Sequence, residues 1–359
     1  MKIKSVEHYI INLELKRPYT IAYKTVTEVE NVIVVVTLDN GVKGVGTANP
    51  SRYVVGDDVN DTFLALGKWD KDLLLKQDIG DFYNCLHQVH TSLADHIGAR
   101  AALDIALHDA FSRQLDKPLV RFFGQRIDRL PTSITIGIKN VAETLYEAEE
   151  YIGRGFSFIK VKLGKSLDED IERITKLREQ YGSRIHIRID ANQGYSAEET
   201  IQLYERTRHL DLELIEQPLP VKDSPALKEL PQPIRDLIAA DEALVDAEDA
   251  FALSVPPASC GIFNIKLMKC GGILPAQHIS TIGRATGRKL MWGCNDESMI
   301  SIAAALHVAL SCPDTRYLDL DGSLDLAKDI ATGTFVVKDG MMSVSDRPGL
   351  GWENLQVAG

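Results

Sequence analysis

Hydrophobic and polar positions divide the chain into parts with different periodicities. Residues 32–38 (VIVVVTL) are apolar and β-branched, and after a turn signal at 39–41 (DNG) the apolar pattern resumes over 42–46. This pattern predicts a β-hairpin. Residues 60–123 are rich in helix formers and predict a group of helices. We therefore expect residues 1–125 to form a separate α+β domain.

Beyond residue 130, short strand-like runs alternate with amphipathic helical stretches. The expected strand ends are Gly137, Lys162, Asp190, Glu216, Asp241, Lys266, Gly293 and Asp319. From Lys162 to Lys266 these ends lie roughly 25–28 residues apart, the length of one βα unit. The count predicts a (β/α) barrel over residues 126–325. A doubly wound open sheet is the alternative, but no glycine-rich dinucleotide-binding turn follows any of these strands.

The end of the chain departs from the barrel pattern. Residues 333–344 (GTFVVKDGMMSV) predict another hairpin, with Asp339 and Gly340 at its turn. We expect residues 326–359 to form a tail that returns to pack on the N-terminal domain.

Composition and charge argue against several classes of function. The 359 residues include 40 basic and 51 acidic side chains, a net charge of −11, and no basic block is visible. Binding to nucleic acid or to an anionic membrane is therefore not expected. The five cysteines are widely spaced and form no CxxC pair, which favours reduced thiols. With no secretory signal and no apolar stretch long enough to span a bilayer, we expect a cytoplasmic protein.

Three acids, Asp190, Glu216 and Asp241, end three consecutive predicted strands. Active sites of such barrels lie at the C-terminal ends of the strands, so the three carboxylates are expected to converge. Converging carboxylates repel one another unless a cation lies between them, and hard oxygen ligands suit Mg²⁺. A helix N-cap is the alternative for any one of these acids. Their regular spacing favours a metal site.

Lysines flank these acids in the sequence. Lys160 and Lys162 share one face of a predicted strand, and Lys266 ends a strand four positions further around the barrel. A solvated strand end is the alternative for a lysine pair alone. Beside a metal centre, lysines on opposite sides predict removal of a substrate α-proton on one face and its return on the other, through a metal-stabilised enediolate. Neighbouring cations are expected to lower the pKa of such a lysine.

These motifs together resemble the muconate-lactonising subgroup of the enolase superfamily. The matching segments are Lys160-Val161-Lys162, Asp190-Ala191-Asn192, Glu216-Gln217-Pro218, Asp241-Glu242, Asn264-Ile265-Lys266 and Cys270-Gly271-Gly272. The resemblance implies an α+β capping domain over a (β/α)7β barrel. It implies Mg²⁺ at the three acids, with Lys162 and Lys266 as the acid/base pair. It also implies that Lys160 contacts the substrate carboxylate and lowers the pKa of Lys162.

The predicted eighth strand ends in Asp319-Leu320-Asp321-Gly322, which resembles the motif with which dipeptide epimerases hold the substrate's α-ammonium group. Asp319 and Asp321 share one face of the strand, and carboxylates suit an ammonium ligand. A turn without a ligand is the alternative, since Asp-Gly is a turn signal. By position, Asp296 and Ser298 after strand seven and Thr135 near the end of strand one are further candidates for substrate contact.

Specificity is expected from two capping-domain loops, residues 18–25 and 48–58. Epimerases of this type that act on Ala-Glu carry a basic residue in the first loop. Here Lys24 stands where an arginine is expected, and lysine lacks the bidentate fork that suits a carboxylate. A small or apolar second residue is the alternative, for which a pocket of Tyr19, Ile21, Tyr53 and Val55 would suit.

The sequence thus predicts a Mg²⁺-dependent epimerase that inverts the C-terminal residue of a dipeptide, and the expected substrates are Ala-X with X small, apolar or glutamate. An N-acylamino-acid racemase, an o-succinylbenzoate synthase or a cycloisomerase of the same subgroup is the alternative. A barrel that only captures a ligand predicts no α-proton exchange at all. Such barrels often form homo-oligomers, but no sequence pattern decides this. Lys269 and His108 are expected to be structural.

Overall fold

The computed structural model describes residues 1–21 and 24–356, and only the backbone for 18–21 and 24–26. The N-terminal domain is built on an antiparallel sheet in the order β1 (Ile3–Ile21), β2 (Lys24–Leu38) and β3 (Lys43–Ala48). The predicted hairpin of residues 32–46 is present as β2 and β3, which pair from Thr37 and Lys43 to Val32 and Ala48.

Helices cover one face of this sheet. They are α1 (Arg52–Val55), α2 (Val59–Lys68), α3 (Phe82–Ser92), α4 (Ile97–Gln114) and α5 (Leu119–Phe123). Helix α4 packs directly on β3. A Cβ atom on Gly46 would lie 2.0 Å from the carbonyl oxygen of Ala102, so only glycine permits this approach. Small residues on both sides therefore bring the helix close to the sheet.

A short strand β4 (Leu130–Pro131) leads into a parallel sheet that the described residues close into a barrel. Its strands, in order around the barrel, are β5 (Ile134–Ile136), β6 (Phe158–Lys162), β7 (His186–Asp190), β8 (Leu212–Glu216), β9 (Ile238–Ala240), β10 (Ile262–Ile265), β11 (Lys289–Gly293) and β12 (Thr315–Asp319). A parallel bridge between Thr132 and Leu318 joins the last strand to the first. The predicted barrel is confirmed, and each predicted strand end lies within one residue of the observed end.

Helices connect the strands on the outside of the barrel. They are α6 (Val141–Gly153), α7 (Leu167–Tyr181), α8 (Ala197–Thr207), α9 (Gln232–Arg235), α10 (Ala247–Ser254), α11 (Leu267–Cys270), α12 (Ile273–Ala285) and α13 (Met299–Ser311). Between β8 and β9 a 3₁₀ helix, Val221–Glu229, precedes the short α9, because prolines interrupt that stretch. In the described chain no helix follows β12, which gives the (β/α)7β arrangement that the resemblance implies.

The tail forms a hairpin of β13 (Phe335–Lys338) and β14 (Met341–Val344), with β14 paired to β4. Beyond the hairpin, the chain reaches helix α4 of the N-terminal domain. There the buried carboxylate of Asp109 accepts hydrogen bonds from the backbone N–H of Leu350 (2.8 Å) and from the indole N–H of Trp352 (2.6 Å). The tail therefore contacts both the barrel and the N-terminal domain.

The interior of the barrel is filled beneath the C-terminal ends of the strands. A small cluster there consists of Leu214, Ala239, Ile262 and Met291, with Tyr317 packed against it. The buried guanidinium of Arg188 donates to the carbonyl oxygen of Leu318 (2.6 Å) and to Glu213 (2.8 Å). Side chains at the C-terminal end are thus held above a packed floor. None of the helices in the described ranges is long and apolar enough to cross a bilayer.

Candidate active site

The three predicted metal-binding acids lie together at the C-terminal end of the barrel. Asp190 ends β7 and pairs in register with Glu216 at the end of β8, while Asp241 directly follows β9. All three side chains are buried. Their approach follows from the parallel register alone, because equivalent positions of neighbouring parallel strands lie side by side.

Glu216 is the most deeply buried of the three, and two residues hold its carboxylate. The amide of Asn264 donates to Oε1 (2.8 Å) and the ammonium of Lys160 donates to Oε2 (3.2 Å). Burial, together with the negative charge of Asp190, raises the pKa of Glu216 well above its usual value. Added positive charge at this position would therefore favour its ionised form.

Asp241 is held between two lysines. Lys266 donates to Oδ2 (2.7 Å), and Lys269 donates to Oδ1 and to the backbone carbonyl of Asp241. Burial acts to raise the pKa of this carboxyl, but the two ammonium groups outweigh it and lower the pKa. Lys269 was expected to be a loop or packing residue, but it is buried and its ammonium fixes a carboxylate of the candidate site.

Lys160 is buried at the centre of the carboxylates. Its ammonium donates to Asp319 (2.5 Å) and lies 3.4 Å from Asp190 and 3.2 Å from Glu216. Asp319 also accepts from the hydroxyl of Ser133 (2.6 Å). Lys160 thus joins the predicted metal-binding acids to the Asp-x-Asp motif.

The expected lowering of a lysine pKa is not found for Lys160 or Lys266. Burial acts in that direction, but the negative charges of Asp319 and Glu216 raise the pKa of Lys160, and that of Asp241 raises the pKa of Lys266. The physical reason is that the carboxylates surrounding these lysines outweigh the neighbouring cations.

Lys162 and Lys266 lie on opposite sides of the barrel. Lys162 ends β6 and Lys266 follows β10, and these strands are four apart in the eight-stranded order of the described sheet. The Lys162 ammonium lies 3.7 Å from Asp190, and its side chain is 41% exposed. The Lys266 side chain is 12% exposed. A Cβ atom on Gly293 would lie 2.9 Å from Cε of Lys266, so glycine leaves room for this lysine.

Asp321 lies beside Thr135, another residue that the sequence offered as a candidate for substrate contact. The backbone N–H of Thr135 donates to the Asp321 carboxylate (2.8 Å). Burial and the negative charge of Asp319 raise the pKa of Asp321 to about 7. The two acids of the motif thus differ in their partners, because Asp319 accepts hydrogen bonds from a lysine and a serine, whereas Asp321 accepts one from the neutral backbone N–H of Thr135.

Asp296 and Ser298, the two substrate-contact candidates in the loop after β11, differ in their contacts. The backbone carbonyl of Asp296 accepts a hydrogen bond from the side chain of Asn49 in the N-terminal domain (2.8 Å). Ser298 is buried, donates to Asp329 (2.7 Å) and accepts from Ile300 at the start of α13. Its hydroxyl is thus engaged in capping the helix, which argues against substrate contact by Ser298.

The predicted specificity loops are described only in part. The side chain of Lys24, like those of Tyr19 and Ile21, lies outside the described residues. In the second loop, Tyr53 is exposed and Val55 is half-buried on helix α1.

The supporting role of Gln217 was not predicted from the sequence. Gln217 adopts a positive φ of 30° and is buried, and its side-chain oxygen accepts from the backbone N–H groups of Asp241 (3.0 Å) and Ala243 (3.1 Å). It therefore fixes the chain around Asp241. The Glu-Gln-Pro motif at 216–218 was the available signal, since a polar residue beside a buried acid is unusual unless it binds something.

The donor set at the strand ends fits a Mg²⁺ ion. Asp190, Glu216 and Asp241 offer buried carboxylate oxygens, the hard ligands that Mg²⁺ prefers. Lysine ammonium groups lie among these carboxylates. Across the described ranges, no three His, Cys, Asp or Glu side chains are arranged so that they could hold a metal ion as they stand. The side-chain oxygen of Asn264 and Oε2 of Glu242 are buried without a hydrogen-bond partner, which shows that polar capacity remains in this layer.

Fold and site together define a capped-barrel enzyme with lysines around a carboxylate centre. The N-terminal domain of mandelate racemase/muconate lactonizing enzymes matches residues 5–124, and the enolase C-terminal domain-like family matches residues 143–356. The chain therefore belongs to the mandelate racemase/muconate lactonizing enzyme family of the enolase superfamily.

Individual relatives agree over nearly the full length. An L-Lys-D/L-Arg epimerase of Desulforapulum autotrophicum is 50% identical over 98% of this chain and 99% of its own. An L-Ala-D/L-Glu epimerase of Bacillus subtilis is 33% identical over 98% and 96%. A dipeptide epimerase structure from Methylococcus capsulatus, complexed with Mg and L-Arg-D-Lys, superposes with a TM-score of 0.95 at 47% identity, covering 98% of this chain and 99% of that one. The predicted resemblance to dipeptide epimerases and the prediction of an isomerase are confirmed.

Proposed function

We propose that the protein is a Mg²⁺-dependent epimerase of dipeptides with basic side chains, inverting the α-carbon of the C-terminal residue. The observation that carries the reaction type is the placement of Lys162 and Lys266 on opposite sides of the barrel, with Asp190, Glu216 and Asp241 between them. A planar enediolate needs one proton donor or acceptor on each face, and this arrangement supplies both.

The proton balance is closed by the two lysines. One lysine, as the neutral amine, takes the α-proton from one face of the substrate carbon. The opposite lysine, as ammonium, gives a proton to the other face. The two lysines end with exchanged protonation states, and the reverse reaction starts from that state. Asp190, Glu216 and Asp241 would hold Mg²⁺, which would supply positive charge where negative charge develops on the substrate.

Lys160 has a supporting role in this scheme. It is buried and bonded to Asp319 and Glu216, so it cannot leave the centre without exposing two carboxylates. Its fixed ammonium adds positive charge where the substrate carboxylate becomes an enediolate. The exposed fraction of Lys162, by contrast, leaves that side chain free to reach the substrate.

The α-ammonium group of the dipeptide is held by Asp321, with Asp319 behind it. Asp321 is fixed through the Thr135 N–H. Burial, and then the negative charge of Asp319, raises its pKa, and a bound cation would offset that negative charge. An N-acylamino acid has no such ammonium group. The Asp-x-Asp pair therefore favours a dipeptide over the substrates of the racemase and cycloisomerase alternatives.

Further negative charge near the barrel mouth favours a substrate with basic side chains. Burial and then the charge of Asp296 raise the pKa of Asp325, whereas Arg154, Lys16 and Arg17 act in the opposite direction. Asp325 in turn contributes to the raised pKa of Asp321. A substrate carrying additional cations would reduce this repulsion. The relative of 50% identity named an L-Lys-D/L-Arg epimerase points the same way.

Alanine-first dipeptides, the prediction from the sequence, form the second candidate. The B. subtilis relative named an L-Ala-D/L-Glu epimerase supports it at lower identity. The side chain of Lys24 lies outside the described residues. The two candidate substrate classes are therefore distinguished by comparing the turnover of their dipeptides.

Proton NMR in D₂O tests the proposal. The enzyme is incubated with Mg²⁺ and with Lys-Arg, Arg-Lys, Ala-Glu, Ala-Ala and N-acetyl-lysine, and the α-proton signal of the C-terminal residue is followed. Loss of that signal with growth of a second diastereomer is expected fastest for the doubly basic dipeptides. Faster turnover of Ala-Glu would select the second candidate, and exchange confined to N-acetyl-lysine would contradict the dipeptide reading. Removal of metal with EDTA is expected to stop the exchange, and added Mg²⁺ to restore it.

A further inference from the structure

We propose that Asn49 is a positioning residue for substrate binding, which clamps the N-terminal domain to the mouth of the barrel. Asn49 directly follows β3 and begins the segment that carries helix α1. Its side-chain amide donates to the carbonyl oxygen of Asp296 (2.8 Å), and the side-chain amide of Asn295 donates back to the carbonyl oxygen of Asn49 (2.8 Å). We call these two reciprocal bonds the Asn49–Asn295 clamp.

The clamp acts on a loop that is tightly enclosed on its other side. A Cβ atom on Gly322 would lie 2.0 Å from the carbonyl oxygen of Asn295, so the two backbones touch. The N–H of Gly322 also donates to the sulfur of Cys294 (3.3 Å), and the N–H of Asn295 donates to the buried carboxylate of Glu297 (2.7 Å). Gly322 directly follows Asp321. A shift of Asn295 therefore reaches the acid that we assign to the substrate ammonium.

The clamp also determines where the capping segment lies over the barrel. The backbone N–H of Asn49 contacts the sulfur of Met268 in α11 (3.2 Å), so both the backbone and the side chain of Asn49 are held by barrel loops. Residues 50–57, including Tyr53 and Val55, begin from this fixed point. Neither bond of the clamp involves the lysines or carboxylates that we assign to proton transfer. The clamp is therefore expected to affect the binding of substrate more than the chemical step.

This inference rests on the proposed function, and the experiment separates the two. Asn49→Ala and Asn295→Ala each remove one bond of the clamp. The control is Asn12→Ala, which removes an exposed side-chain bond to Glu28 (3.3 Å) in the same domain. For a doubly basic dipeptide, each clamp variant is expected to raise KM about tenfold, equivalent to about 1.4 kcal/mol, with kcat within about twofold of the parent. The double variant is expected to raise KM little further, because the two bonds act as one unit.

Amide hydrogen exchange gives a readout that does not depend on turnover. Residues 50–57 and 294–297 are expected to exchange faster in both clamp variants and unchanged in Asn12→Ala. An unchanged KM, or a fall in kcat that accompanies a general loss of thermal stability, would overturn the proposal. If the parent enzyme turns over no dipeptide, the proposed function fails. The clamp is then tested by amide hydrogen exchange alone, and unaltered protection of both segments in the variants would refute it.

Discussion

Replacing Asp321 by asparagine isolates the charge that we assign to recognition of the substrate ammonium. In the parent, the Thr135 N–H lies 2.8 Å from the Asp321 carboxylate. Asparagine retains a side-chain oxygen that can accept this hydrogen bond, so the local fold is expected to persist. The negative charge alone is removed. Asp319 remains bound to Lys160 and Ser133, and the proton-transfer lysines are untouched.

The magnitude follows from the surroundings of Asp321. A hydrogen bond to a charged partner contributes about 1.5–3 kcal/mol, which corresponds to a fall in kcat/KM of about 10- to 150-fold. The lower half of this range is expected, because Asp321 is only half-buried by surface exposure and removal of the charge also relieves repulsion with Asp319. An N-acetylated dipeptide has no ammonium group and is expected to lose nothing.

The assay therefore compares kcat/KM for two substrates. The value of kcat/KM is measured for a basic dipeptide and for its N-acetyl derivative, in the parent, in Asp321→Asn and in the exposed control Asp346→Asn. The parent and the control are expected to prefer the free amine, and the variant to lose most of that preference. Equal losses on both substrates would refute ammonium recognition by Asp321 and indicate a general role in the fold.

The same residue predicts a pH dependence of binding. Since the pKa of Asp321 is raised to about 7, its charged form increases as the pH rises through that value. KM for the free-amine dipeptide is expected to fall between about pH 6 and pH 7.5, a range in which the substrate ammonium stays largely protonated. In Asp321→Asn this dependence is expected to disappear. A pH profile of KM that is identical in parent and variant would contradict the assignment.

Three further predictions concern two lysines and a buried histidine. Lys266→Ala is expected to abolish epimerisation in the NMR assay but to leave α-proton exchange for the one stereoisomer whose proton faces the remaining lysine; exchange in both stereoisomers would contradict the two-sided scheme. Lys269→Met leaves the buried carboxylate of Asp241 with one ammonium partner fewer. The free energy of unfolding, measured in urea, is expected to fall by about 3–5 kcal/mol. A loss below about 1 kcal/mol would show that Lys266 compensates. Burial lowers the pKa of His307 from 6.5 to about 3, so only the unfolded chain binds its proton between these values. The free energy of unfolding is then expected to fall by up to about 1.4 kcal/mol per pH unit below pH 6.5, and His307→Gln, but not the exposed His209→Gln, is expected to reduce that slope.

The strand ends were predictable because they depend on local patterns. In a parallel barrel the same signal, an apolar run followed by a polar residue, recurs at every βα unit, and it located β6 through β12 to within one residue. The register then brings Asp190 beside Glu216 without any knowledge of the intervening helices. The composition of the N-terminal helix group was likewise sufficient to predict its helices.

Partners that are distant along the chain could not be predicted in this way. Lys160 binds Asp319, 159 positions later, and Asn49 binds the Asp296 carbonyl 247 positions later. Whether Ser298 contacts a substrate or caps a helix depends on Asp329, whose position is set by the irregular segment after β12. The direction of the lysine pKa shifts also required the structure, because it depends on which carboxylates surround each ammonium group.

The charge balance of the centre supports the assignment of Mg²⁺. Buried carboxylates at this end of the described barrel include Asp190, Glu216, Asp241, Glu242 and Asp319. The ammonium groups of Lys160, Lys266 and Lys269 are the closely held cations among them. At full ionisation the carboxylates outnumber the neighbouring lysines, Lys162 included, so the centre keeps an excess of negative charge. Burial, and then the negative charge of neighbouring carboxylates, raises the pKa of Glu216 and of Glu242. A divalent cation would remove the excess and leave the lysines opposite one another for proton transfer.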